Sequence, residues 1–167
     1  EMGIEVTYHS ALESGDQSVA GLGWIAIEEM ADHPINADVD LISFQTGGTM
    51  AEPRTEDAVA TSRLSETGWG DFWDESQTHG FYGNWERDEG EPQGNNPVVM
   101  ASEYGQGRVV VVGDQNIYGD AWLHFGDNFA HFMNIFEWAA GREDASEPLR
   151  SIKPKGFNIG VDIRLSE

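Results

Sequence analysis

Pro97-Val-Val-Met-Ala-Ser-Glu-Tyr-Gly-Gln-Gly-Arg-Val-Val-Val-Val-Gly-Asp114, followed by Asp127-Asn-Phe-Ala-His-Phe-Met-Asn-Ile-Phe-Glu-Trp-Ala-Ala-Gly141, is the stretch whose reading decides the fold. It reads as two strands and a helix. The first strand runs from about Val98 to Glu103 and turns at Tyr104-Gly-Gln-Gly107. The unbroken β-branched run Val109 to Val112 then marks a strand buried on both faces, which belongs inside a layered α/β sheet. Gly113-Asp114 sets a carboxylate at the end of that strand, the rim at which open α/β sheets carry their ligand crevices.

The helix follows from periodicity. Asp127 or Asn128 serves as N-cap, and Phe129, Phe132, Met133, Phe136, Ala139 and Ala140 recur at three- and four-residue spacing as one apolar stripe that must be buried. Gly141 supplies a left-handed stop. His131 and Asn134 fall off the stripe, which predicts surface or capping roles for both.

These residues carry a family resemblance. Gly-Gln-Gly-Arg-Val-Val-Val-Val-Gly-Asp, then Asp127-Asn128, Asn134 and Trp138, together with His33-Pro34-Ile35 upstream of Val39-Asp-Leu-Ile-Ser-Phe44, resemble the C-terminal portion of class I glutamine-amidotransferase-like domains. The nearest likeness is to the non-catalytic branch that includes ThuA-like proteins, over roughly residues 24 to 141. The resemblance implies a flavodoxin-like α/β domain with a mostly parallel sheet over residues 1–142, followed by a polar linker and one extra terminal strand in 143–167. It also implies chemistry by contrast. Catalytic members use a cysteine nucleophile and a His-x-Glu pair after the late strand, whereas this chain has no cysteine and reads Asp114-Gln115-Asn116 at the matching place. No glutaminase triad exists, and no ammonia release from glutamine is expected.

The same likeness places Asp114, Gln115, Asn116 and Asp127 along the old active-site rim, as candidate ligand-binding residues. The family's opening strands have no counterpart here, since only about two dozen residues precede Trp24. The first residue is glutamate, and no charged segment with an apolar core follows it, so a processed chain or fragment is one expectation. Gly3 to His9 and the alternating Phe157 to Leu165 would then present strand edges to another polypeptide, either a missing N-terminal half or a copy of the same chain.

Composition narrows the partners. Thirty acidic residues against nine basic ones give a net charge of −21, and lysine occurs only at 153 and 155. Nucleic acid is excluded, because binding it needs a basic surface. Such acidity fits a salt-rich, halophilic or marine setting, or a calcium-laden extracellular or periplasmic one. No segment approaches the roughly 20 apolar residues of a membrane helix. Asp114-Gln-Asn-Ile-Tyr-Gly-Asp120 echoes a calcium loop but lacks the fifth ligand and has Phe125 at the twelfth place, so no metal is assigned. The five histidines share no ligand spacing. His33, ahead of a proline, suits a structural hydrogen bond.

Elsewhere, Ala11 to Gly23 reads as loop or short helix, Trp24 to Glu28 as strand or helical turn, and Asp40 to Gln45 and Ala58 to Leu64 as strands. Residues 65–96 read as a long loop in which Trp69, Phe72, Trp73, Phe81, Tyr82 and Trp85 interleave with Asp71, Asp74, Glu75, Glu86, Asp88, Glu89 and Glu91. Loops of this length are functional or disordered. Aromatic faces beside carboxylates suit carbohydrate, which makes Trp69, Trp73 and Trp85 candidates for a sugar platform. The competing reading has these rings folded under, pinning the loop. Three functions stay open: a non-catalytic binding or assembly module, a structural subunit of a multi-chain assembly, and a carbohydrate-active hydrolase using paired carboxylates.

Overall fold

The computed structural model describes residues 1–76 and 82–142. The alternating segment 157–165 lies outside them, as do His79 and Phe81. The described chain forms β1 (Val6–Glu13), β2 (Trp24–Ile27), β3 (Glu29–Met30), β4 (Ile42–Gln45), β5 (Gly48–Met50), β6 (Ala58–Arg63), β7 (Gly68–Phe72), β8 (Pro97–Tyr104), β9 (Gly107–Val112) and α1 (Asn128–Ala139). Three sheets result, in the orders β5-β1-β7, β2-β4 and β3-β6-β8-β9.

Every strand pair is antiparallel. The layered, mostly parallel α/β sheet of amidotransferase type is therefore corrected to a mainly antiparallel β architecture, with one α-helix among the described residues. The reason lies in the quoted stretch itself. Tyr104 faces Gly107 across a two-residue connection, with Gly105 at a φ of 63°, and so short a link joins only antiparallel neighbours. The doubly buried strand is β8, whose residues Pro97 to Ser102 are all buried, whereas Val109 to Val112 of β9 are half-buried. Strand β8 lies between β6 and β9. Its Val99 and Ala101 join the main core of Ile25, Ile27, Ile42, Phe44 and Leu64, and its Met100 joins a smaller cluster with Met50, Ala58 and Ala60. As the sheet edge, β9 has a neighbour on one side only.

Strand β1 extends through the segment expected to begin a loop, ending at Glu13. It is the middle strand of its sheet, with β5 alongside Val6 to Ser10 and β7 alongside His9 to Glu13. The supposed structureless stretch 65–96 contains β7, and Gln93 bridges back to Trp69. A backbone bond then joins two sheets, Gly48 N donating to Gly113 O at 2.9 Å, while Ala11 N donates to Gly47 O at 2.8 Å and extends the β1–β5 ladder. Glycine is required at this crossing, because a Cβ on Gly113 would collide with the Gly48 carbonyl and one on Gly47 would stand 2.5 Å from the Phe44 ring.

Helix α1 starts and stops as its residues predict, with Asp127 at the N-cap position and Gly141 at a φ of 66°. Its buried face is the other one. Asn128, His131, Asn134, Glu137 and Trp138 are buried, while Phe136 of the apolar stripe is 54% exposed. Asn134 Nδ2 donates to Ile35 O and Ala37 O, so the helix is docked by satisfying loop carbonyls. His131 Nδ1 lies 2.7 Å from the Tyr118 hydroxyl, and burial pushes its pKa down to about 4.

Candidate functional site

Of the rim residues, Asp114 and Asp127 are anchors at opposite ends of β4. Asp114 is 2% exposed, and its Oδ2 accepts from Gln45 N at 2.6 Å while Oδ1 accepts from Asn116 N at 2.7 Å. Burial raises its pKa, and the amides of Gln45, Asn116 and Ile117 pull it back. The carboxylate ties the end of β4 to the 3-10 turn Asn116–Tyr118. Asp127 has no side-chain cap bond; its Oδ2 instead accepts from Asp40 N and Leu41 N at 3.0 and 3.1 Å. Next to it, fully buried Asn128 accepts from Ser43 N and donates to the carbonyls of Ser43, Ile117 and Trp122. Gln115 and Asn116 project into solvent. No group of three or more metal-ligating side chains occurs among the described residues. His33 caps the 3-10 turn Pro34–Asn36 by accepting from Ile35 N, the structural role its position predicts.

The aromatic segment divides its tryptophans between two roles. Trp69 is 3% exposed, with the Arg87 guanidinium 4.9 Å from its ring centre, and it pins the loop to β1 opposite Leu12. Trp73 and Trp85 are 52% and 41% exposed. The register places Trp69, Asp71 and, one residue beyond the strand, Trp73 on one face, opposite Leu12, Ser10 and Tyr8 of β1. That face runs from buried Leu12 and Trp69 out to Tyr8, 81% exposed, whose ring centre is 6.3 Å from that of Trp73 at a 41° tilt. Trp85 reaches the rim. Its ring edge lies 3.2 Å from where a Cβ on Gly23 would stand, beside Thr46.

Two acids that the sequence does not single out organise this segment. Asp71 and Glu91 are 1% and 6% exposed. Glu91 Oε1 accepts from Phe72 N at 2.9 Å and Oε2 from Asp88 N at 2.9 Å. Asp71 Oδ2 accepts from Trp85 N at 2.7 Å and Oδ1 from Asn84 N at 3.4 Å. Burial, with the Glu91 carboxylate beside it, pushes Asp71 up to about 6. Gly83 has to be glycine, since a Cβ there would collide with the Asp71 carboxyl. A third buried acid, Glu13, accepts from Gly15 N, Ser65 Oγ and Thr67 Oγ1, bonds that outweigh burial and lower its pKa. The signal for Asp71 was the spacing Trp69-x-Asp71-x-Trp73, which in a strand puts an acid between two rings on one face. Nothing local marks Glu91 or Tyr8.

A separate shallow cavity of about 260 Å³ opens between Glu56, Asp57, Glu103, His33 and Trp138. Arg108 lies 3.3 Å from Glu103 and stacks on Trp138 at 5.0 Å, which offsets part of the acidity of that wall. No protein-family description matches the chain, and no curated protein matches it.

Proposed function

We propose that this chain is a non-catalytic binding module that presents the Tyr8, Trp73 and Trp85 surface to neutral carbohydrate. The observation that carries this reading is the split among the tryptophans: one is buried as an anchor, and two stay 52% and 41% exposed on a segment held by buried carboxyls. Exposed indoles on a hydrogen-bonded frame are prepaid in conformational entropy, so a sugar face that covers them keeps most of the gain. Covering half of one indole is worth roughly 2 kcal/mol from buried apolar area. The surrounding Glu75, Glu86 and Glu89 are exposed and repel anionic polymers. Hydrolysis by paired carboxylates has less support, because Asp71, Glu91 and Asp114 are buried with their oxygens engaged by backbone amides.

Calorimetric titration with cellohexaose and maltohexaose tests the reading. Binding of at least one is expected, with Trp73→Ala and Trp85→Ala each weakening it roughly tenfold, as loss of one stacked ring should. If neither sugar binds, or Trp73→Ala binds as tightly as wild type, the platform is not the ligand site.

A further inference from the structure

We infer that the carbohydrate taken by the Tyr8 and Trp73 surface is an α-1,4-linked glucan rather than a β-1,4-linked one, and that Tyr8 sets this choice. The assignment of a linkage rests on the carbohydrate-binding reading above. Two features of the ring pair carry it: the centres of Tyr8 and Trp73 are 6.3 Å apart, and their planes are inclined at 41°.

The spacing selects which sugars of a chain the rings meet. At 6.3 Å two rings serve consecutive residues of a glycan, not alternate ones. In a β-1,4-linked glucan each residue is turned over relative to the one before, so a platform that reads one face meets every second residue. In an α-1,4-linked glucan each residue keeps the same sense, and neighbours offer the same C–H face. The tilt selects the shape. Stacking needs a sugar face parallel to the ring at van der Waals distance. The β-1,4 chain is a flat ribbon, and one laid on Trp73 is either lifted away from Tyr8 or driven into it. The α-1,4 chain coils, turning each sugar against the last in a constant sense, so neighbouring sugars lie parallel to two inclined rings.

The tilt is built into the frame. Tyr8 lies in β1 and Trp73 directly follows β7, one step beyond the His9–Phe72 pair. Twist rotates neighbouring strands by roughly 20–25° and inclines the side chains on their shared face. After Trp73 the chain turns away, with Asp74 Oδ1 accepting from Ser76 N at 2.9 Å and from Ser76 Oγ at 2.6 Å. Behind the platform, on the opposite face of the same two strands, the rings of His9 and Phe72 pack with centres 4.6 Å apart.

The two rings divide the task. Trp73 offers the larger face, on which a sugar of either linkage stacks. Tyr8, 81% exposed, adds the second plane, whose inclination only a coiled chain uses. Val6, two residues along the same face of β1 and also exposed, continues the apolar rim past Tyr8.

Titration calorimetry of the whole chain with maltohexaose and cellohexaose, both neutral and equal in length, tests the choice. Maltohexaose should bind about tenfold tighter, the worth of one further stacked ring. Tyr8→Ala should remove that advantage, whereas Tyr8→Phe, which keeps the ring, should retain it. Wild type mixed with microcrystalline cellulose should stay in the supernatant on centrifugation, since a flat crystal face meets only one ring. Cellohexaose binding as tightly as maltohexaose, or retention on the cellulose, overturns the linkage assignment and leaves the carbohydrate reading standing. A Tyr8→Ala protein with the wild-type preference overturns the role of Tyr8. If neither sugar binds, the carbohydrate reading falls and takes the linkage with it.

Discussion

Asp114 and Asp71 are the same residue type, 2% and 1% exposed, and each accepts backbone amides from a segment distant in sequence. They differ in what fills the remaining oxygen. Asp114 meets short amide bonds on both sides, 2.6 and 2.7 Å, and ties together pieces of the main core. Asp71 has one short bond, one long one, and a second carboxyl. A buried aspartate surrounded by amides is an anchor, whereas one beside another acid has its pKa pushed further up, to about 6 for Asp71. Burial depth alone does not distinguish the two.

The largest effect expected from this contrast is in Asp114→Ala. Removing that carboxylate leaves the amides of Gln45, Asn116 and Ile117 buried without an acceptor, at a cost of about 3 kcal/mol or more. Urea unfolding measures it. Asp71→Ala should cost less, because the loop it holds can open while the core stays packed, and a larger loss in Asp71→Ala than in Asp114→Ala would break the comparison.

Asn128→Ala comes next, at roughly 2 kcal/mol, since the amide at the start of α1 serves four backbone groups and its loss strands buried carbonyls. If it unfolds at the same urea concentration as wild type, the helix is docked by its apolar residues after all. The smallest effect belongs to Trp73→Ala. Its ring is half in water, so unfolding should shift by no more than about 0.5 kcal/mol. Trp69→Ala, by contrast, empties a buried site and should cost about 3 kcal/mol or more. Equal losses for the two tryptophans would erase the division between anchor and platform.

Local features were legible where the cause was local. Gly105 and Gly107 mark the β8–β9 turn, Gly141 ends α1, and His33 ahead of Pro34 caps a short turn. The valine run misled because a β-branched stretch is equally compatible with a buried central strand and with a half-covered edge. The two-residue connection before it already required an antiparallel pair, and that constraint outranks the resemblance. On α1 the apolar count favoured the phenylalanine stripe. The free carbonyls of Ile35, Ala37, Ser43, Ile117 and Trp122 favoured asparagine, and unsatisfied buried carbonyls cost more than half-exposed rings.

The sequence by itself determined an acidic chain without cysteine, the positions of β4, β6, β8 and β9, one helix that stops at Gly141, and an aromatic segment too costly to be mere linker. Only the tertiary structure decided which of three tryptophans is buried, and which of thirty acids meet. Periodicity records which side chains share a face of one element. The pairing of Asp71 with Glu91 depends on a chain reversal 20 residues long, as does the placing of Trp85 over Gly23, and the energy deciding both is the satisfaction of buried backbone groups between segments that no local pattern relates.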